Sequence, residues 1–254
     1  MTAEQLYFEL DKRIPRALSC EWDNDGFMCS PDKTAEVKHI LLALDVTKDT
    51  VEQAGKIGAD LIISHHPMIF KAIKSVNEDD FTSAKVIKLI KNGISVFSFH
   101  TRLDALDGGV NDALAEALGV FDTVKFGEDG EMIGRLGEVD ECDLDSFAVH
   151  VKDALGADHL NVTDSGRRVK RVALLGGDGK DFLKAALSTG ADTYVTGTMS
   201  YNSMLDAYDA GINVIEAGHY FTEAPVLRKL EEMIKGITDG IKFSYYDSNA
   251  VRSY

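Results

Sequence analysis

Cysteine is scarce in this 254-residue chain, and the three that occur suggest neither a covalent framework nor a thiolate site. Cys20, Cys29 and Cys142 lie far apart with no C-x-x-C, so they read as reduced thiols of a cytoplasmic protein. Positive charge is also in short supply: 27 Lys and Arg against 42 Asp and Glu leave a net charge of -15. A phosphate backbone or an anionic membrane is bound through clustered Lys and Arg, so neither nucleic acid nor membrane is expected as the main partner. The same deficit suits a chain that holds cations. No apolar stretch approaches the roughly 18 residues of a membrane span, and the opening MTAEQLYFEL lacks the basic flank and apolar run of a signal peptide. Two catalytic motifs are missing as well. There is no G-x-S-x-G elbow, which removes the usual α/β-hydrolase route. Gly176-Gly177-Asp178-Gly179-Lys180 lacks the phosphate-loop spacing and places Asp181 where Ser or Thr would meet magnesium. It reads as a glycine turn with a helix starting at Asp181.

What is present is a globular composition, 44% hydrophobic and 27% charged, and an internal repeat. Lys38–Asp45 can be laid on Lys170–Gly177 at an offset of 132, and the same offset lays Gly58–Ser64 on Gly190–Thr196. A third pair, Gly93-Ile94-Ser95-Val96 and Gly211-Ile212-Asn213-Val214, follows at a shorter offset. Each half reads as strand, helix, a "GAD" turn, strand, helix, then a third strand after Gly-Ile. Short β-branched runs separated by helical patterns indicate βαβ units with a parallel sheet. In the helical pattern of residues 81–91, Phe81, Ala84, Val86, Ile87 and Ile90 share one broad apolar face, and Asn92-Gly93 ends it. Gly58 and Gly190 are placed as left-handed helix caps. Residues 123–169 read as a connecting hairpin plus an amphipathic helix, Leu144–Leu155. The expected fold class is therefore α/β, with two similar halves, 1–124 and 125–254, and a ligand site in the cleft between them. The tail 241–246 is one more strand, a candidate to return to the first half.

Three strand ends carry groups that hold metals. Ser64-His65-His66-Pro67 closes the run Asp60–Ile63. Side chains of a strand alternate faces, so two adjacent histidines do not naturally meet at one ion. They serve two neighbouring ions, or the chain turns at Pro67 and brings both round, or they are a plain strand end. His100-x-x-x-Asp104 and His219-x-x-x-Glu223 close the third strands of the two halves. Thr222 is placed to cap the following helix, which puts Glu223 at a helix start where the dipole favours its charge. Each pair alone is commonplace in structural roles; together they supply imidazoles and carboxylates without sulfur, a donor set for Zn, Mn, Fe, Co or Ni. Five or six such ligands exceed the needs of one zinc ion and match a carboxylate-bridged pair of ions roughly 3.5–4 Å apart. Trp22-Asp23-Asn24-Asp25-Gly26 is a turn-rich stretch holding the one tryptophan, which beside a cleft would serve for stacking.

WDNDGF (22–27), ISHHPMIF (63–70), HTRLDALDGGVNDALAEALG (100–119), IGRLGE (133–138) and GINVIEAGHYFTE (211–223) resemble, in order and over nearly the whole chain, the NIF-three-like dinuclear-metal family, whose members are described as GTP cyclohydrolase I type 2 homologues. The length resembles the short bacterial form. The resemblance implies two similar α/β domains, a toroidal homohexamer and two divalent metal ions per subunit. It implies His65, His66, Asp104, His219 and Glu223 as ligands, with Glu223 as the bridge, His66 and Asp104 on one ion, and His65 and His219 on the other. His100 matches a family histidine close to the metals. Two departures stand out. Relatives often carry Glu and His where this chain reads Thr198-Met199-Ser200-Tyr201, so an acid–base role tied to those groups does not transfer. Arg102 stands where relatives usually have a small or amide side chain.

Two functions follow as expectations. One is a metal-dependent hydrolase acting on a small molecule, with Arg102 holding an anionic substrate group and Tyr201 or Tyr220 stacking or donating a hydrogen bond. The alternative is a metal-binding chaperone, storage or insertion protein without turnover.

Overall fold

The computed structural model describes residues 1–128 and 130–252. In chain order its strands are β1 (Gly26–Cys29), β2 (His39–Ala43), β3 (Leu61–Ser64), β4 (Ser95–Ser98), β5 (Phe121–Glu128) and β6 (Glu131–Cys142). There follow β7 (Asn161–Thr163), β8 (Val169–Asp178), β9 (Thr193–Thr198), β10 (Asn213–Glu216) and β11 (Lys242–Tyr245). Contacts divide the chain into two compact units, one of Met1–Leu103 with Leu227–Arg252 and one built on Asp104–Val226. The fold class is α/β in both.

The first unit carries a five-stranded sheet in the order β1-β4-β3-β2-β11. Strands β2, β3, β4 and β11 run parallel and β1 pairs antiparallel with β4 at the edge. The parallel run is apolar because both sheet faces are covered. Leu41, Ile62 and Val96 pack on one face with Val51 and Ala54 of helix Lys48–Ile57 and Val86 and Leu89 of helix Phe81–Asn92. Tyr7 of the N-terminal helix Ala3–Arg13 packs on Phe97 and Phe99, while its neighbours Leu6 and Leu10 are fully buried. Helix Phe81–Asn92 ends at Gly93, as its sequence pattern indicates, and starts on an Asp80 cap that the pattern did not single out. Its buried face differs from the expected one: Ser83, Val86 and Leu89 point inward, and Phe81 and Ile90 are exposed.

The second unit carries a six-stranded sheet in the order β5-β6-β8-β9-β10-β7. Alternation along β8 sends Val172 and Leu174 to a core shared with Leu114, Phe147 and Val151, and Ala173 and Leu175 to another shared with Leu183, Ala186 and Ala207. Strands β5 and β6 form the connecting hairpin, and the helix Leu144–Leu155 follows, capped by Asp143 and Gly156.

The repeat has a physical basis in both units. Ile40 opposite Leu61 recurs as Val172 opposite Thr193, and Leu61 opposite Ser95 recurs as Thr193 opposite Asn213. The aspartate of each GAD turn accepts from the backbone that opens the preceding strand. Asp60 binds the amides of Lys38 and His39 at 2.8 and 2.9 Å, and Asp192 binds those of Lys170 and Arg171 at 3.1 and 2.7 Å. The glycine before it takes the left-handed conformation in both copies, φ +65° at Gly58 and +76° at Gly190. GAD is thus a helix stop and a strand clamp written in three residues.

Candidate metal centre

Parallel strands end on one sheet edge, so the residues that follow β2, β3 and β4 are neighbours in the first unit. They are Asp45, the pair His65-His66, and His100. The imidazole centroids lie 4.9 Å apart for His65 and His66, 5.2 Å for His65 and His100, and 5.6 Å for His66 and His100. Alternation does not separate the adjacent histidines, because β3 stops at Ser64. The Ser64 hydroxyl donates to the His66 carbonyl at 2.9 Å and turns the chain there. Ligand-capable atoms of His65, His66 and His100 all lie within 4.8 Å of one another, a group able to hold a metal ion.

Each ring is held through the same nitrogen. His65 Nδ1 is 2.9 Å from the Phe99 carbonyl, His66 Nδ1 is 2.8 Å from Asp45 Oδ1, and His100 Nδ1 is 2.9 Å from Asp23 Oδ1. A carbonyl or carboxylate oxygen only accepts, so Nδ1 carries a proton in all three and Nε2 is the nitrogen that a metal ion would take. A protein acceptor on the far nitrogen is the usual support of a metal-ligating histidine. The supports are themselves anchored. Burial raises the Asp23 carboxyl, but hydrogen bonds from His100 and Thr101 outweigh it and bring it down to about 2. Asp45 receives the Ser248 hydroxyl at 3.3 Å from the C-terminal segment.

In the second unit three acid and imidazole groups gather near β8 and β10. His219 and Glu223 open and close a single helical turn, with His219 Nε2 3.2 Å from Glu223 Oε2. A carboxylate oxygen of Asp104 and one of Glu223 lie within 4.8 Å of each other. Glu223 is buried, and backbone crowding defines its position. Gly177 has φ +71°, and a Cβ there would strike the Glu223 carboxylate, coming within 3.2 Å of its Cδ. The Gly177 amide donates to Thr222 Oγ1 at 3.1 Å, and the Gly176 amide to Asn111 Oδ1 at 2.8 Å. Asn111 in turn donates to the Asp104 carbonyl at 3.3 Å. The glycines at 176–177 thus allow a close approach of β8 to the acidic group.

Several expectations are corrected here. Thr222 does not cap the long helix: its hydroxyl bonds back to the carbonyls of Gly218 and His219, and that helix begins at Val226. Glu223 therefore ends a short helix instead of starting a long one. Asp181 lies in the 3-10 turn Lys180–Phe182, ahead of the helix Leu183–Ser188. Arg102 is fully buried and four of its five donors go to Asp25, Asp11, the Ile14 carbonyl and Tyr7, so it serves the fold and not a substrate. Asp23, Asp25 and Asp45 had no role in the sequence reading. The signal was the acid pair in Trp22-Asp23-Asn24-Asp25, which looked like a loop.

Comparison with known proteins identifies what this arrangement resembles. The family described as Duf34/NIF3 (NGG1p interacting factor 3) matches residues 1–250. The chain is 36% identical over 220 residues to a GTP cyclohydrolase 1 type 2 homolog of Clostridium perfringens, covering 84% of each. It is 30% identical over 246 residues to the one of Lactococcus lactis, covering 95% of each. Among solved structures it is similar to a Staphylococcus aureus hypothetical protein, with a TM-score of 0.90 at 26% identity over 100% of this chain and 99% of that one. A Bacillus cereus protein related to NIF3 shares the fold with a TM-score of 0.86 at 24% identity, over 98% of each chain.

Proposed function

The chain belongs to the Duf34/NIF3 family, and from that premise we propose that it is a dinuclear divalent-metal protein acting as a hydrolase on a small molecule. The ligands are His65, His66, Asp104, His219 and Glu223. Glu223 would serve with His66 and Asp104 towards one ion and with His65 and His219 towards the other. The reading is carried by one observation: every imidazole of the first unit's cluster sets Nδ1 against a protein acceptor, the arrangement in which Nε2 is the nitrogen that would meet a metal ion. The donor set, imidazole and carboxylate without thiolate, fits Zn, Fe, Mn, Co or Ni. When bound, such ions supply Lewis acidity, polarising a substrate oxygen and making water more acidic.

The chain's own groups divide the remaining work. Asp45 and the Phe99 carbonyl orient the ligand rings of His66 and His65. His100, held by Asp23, is the imidazole left over from the ligand set, and its Nε2 is the atom that holds or moves a proton. No helix among the described residues is long and apolar enough to cross a membrane. The assembly we propose is a toroidal homohexamer, which light scattering of the metal-loaded protein tests.

The decisive experiment is elemental analysis of the wild type and Glu223→Gln after loading and desalting. Two equivalents per chain are expected in the wild type. Less than one is expected in the variant, because a shared carboxylate serves both ions. A wild type that retains no divalent metal, or a variant that retains both equivalents, overturns the ligand set. Turnover is tested separately, by profiling the loaded protein against nucleotides, phosphoesters and cyclic amides.

A further inference from the structure

The first unit exposes two large aromatic side chains beside its imidazole cluster. Trp22 is 60% and Phe70 47% exposed, although both are costly to leave in water. Their centroids are 6.1 Å apart, and each is about as close to His100, at 6.2 Å for Trp22 and 6.3 Å for Phe70. Interplanar angles of 70°, 75° and 89° make the three rings mutually edge-on, so none of them stacks on another. An edge-on corner of this kind leaves ring faces available to a further flat group.

The corner is held in place from both sides. Asp23, next to Trp22, accepts from His100 Nδ1 at 2.9 Å and from the Thr101 hydroxyl at 2.6 Å. Asn24, one residue on, donates its side-chain amide to the carbonyl of Ile69, the neighbour of Phe70. One short segment thus ties Trp22 to the histidine and to the loop after β3 that carries Phe70. These three side-chain hydrogen bonds fix the backbone beside both aromatics, which lowers the ordering cost of binding there.

We propose that Trp22 and Phe70 form a stacking platform for a planar aromatic ring, which makes the substrate a heteroaromatic compound such as a nucleobase, flavin or related ring system. The assignment of a substrate rests on the hydrolase reading above; the platform itself does not. A base stacked on an aromatic side chain carries binding that is tolerant of ring identity, because every such ring has a π-face.

The test uses the metal-loaded full chain and the fact that Trp22 is its one tryptophan. AMP, UMP and flavin mononucleotide are titrated by calorimetry and by tryptophan fluorescence, with ribose 5-phosphate as the ring-free control. At least one planar compound is expected to bind and quench Trp22, while ribose 5-phosphate does neither. Trp22→Leu is expected to weaken that binding about 5- to 150-fold, the range for one stacked base, and Trp22→Phe to restore most of it. Failure of all three compounds to bind the wild type overturns the platform. So does equal binding by Trp22→Leu, including the case where that variant changes only the mass of the assembly. Metal content measured on the same samples separates the two claims: ring binding that depends on Trp22 in a protein without metal sinks the metal reading alone.

Discussion

Replacing Arg102 by methionine separates a structural arginine from a substrate-binding one. The guanidinium is fully buried, with Nε 2.8 Å from Asp25 Oδ2, Nη1 2.6 Å from Asp11 Oδ1 and 2.9 Å from the Ile14 carbonyl. Nη2 lies 3.3 Å from the Tyr7 hydroxyl, and Cζ sits 4.7 Å from the centre of the Phe99 ring. Burial opposes this charge, but the hydrogen bonds it donates to Asp11 and Tyr7 and the field of Asp25 raise its pKa further. Methionine keeps much of the stem's volume and removes every donor. The Asp25 side chain is wholly buried and would keep the Ser19 hydroxyl, the His100 amide and Arg16, whose Nη1 is 4.0 Å away and mostly in water. Removing one partner of a buried ion pair costs about 3–5 kcal/mol. The residual partners place the expected loss near the lower end, about 3 kcal/mol, which for a chain of this size is a fall of roughly 6–12 °C in Tm. Urea unfolding followed by circular dichroism and by Trp22, in the same unit, measures it. The double variant Asp25→Leu with Arg102→Met removes both charges and is expected to lose at least 1 kcal/mol less than the sum of the two single losses. A single variant within about 1 kcal/mol of wild type, well below the cost of orphaning a buried charge, would refute the structural assignment and return Arg102 to the substrate.

Two further outcomes test other parts of the molecule. Gly177→Ala places a Cβ against the Glu223 carboxylate at a backbone φ of +71°; it is expected to cost about 1–3 kcal/mol in strain and to lower bound metal. Unchanged metal content would mean that Glu223 is not held where the crowding puts it. Asp112 is raised by burial but lowered more by its hydrogen bonds with Arg135, at 2.7 and 2.9 Å, so its folded pKa lies below the ordinary value. Its stabilisation is therefore present above the ordinary carboxylate range, about 3.9, and is lost as pH falls through and below it. Asp112→Asn should flatten the acid limb of stability measured by urea midpoints from neutral pH downward, and identical limbs would contradict the linkage.

Local chemistry at fixed spacing was legible along the chain. The Gly58 and Gly93 stops and the helix Leu144–Leu155 follow from residues that act on their own backbone within a few positions, whereas the GAD aspartates clamp amides 21 and 22 positions back. Periodicity located the helix at 81–91, one residue short of its end at Asn92, but misjudged its face. An apolar stripe says which residues are able to face a core, whereas the neighbouring strands decide which are covered, and Phe81 and Ile90 lie beyond that cover. The candidate ligands were legible for a similar reason: His and carboxylate at strand ends are a chemical signal in themselves. Their supports were not. The acceptor of His100 lies 77 positions away at Asp23, and the acceptor of His66 lies 21 away at Asp45. No local pattern distinguishes a carboxylate that anchors an imidazole from one on a solvated loop. The same holds for Arg102, whose charge suggested a ligand partner until the aspartates at 11 and 25 were seen to consume it. The sequence by itself determined the α/β class and the kinds of donor available, because backbone hydrogen bonding and side-chain chemistry are set residue by residue. Which nitrogen of each histidine is spent, and which charges are buried in pairs, was decided only by the tertiary structure, because those depend on groups that only folding brings within 3 Å.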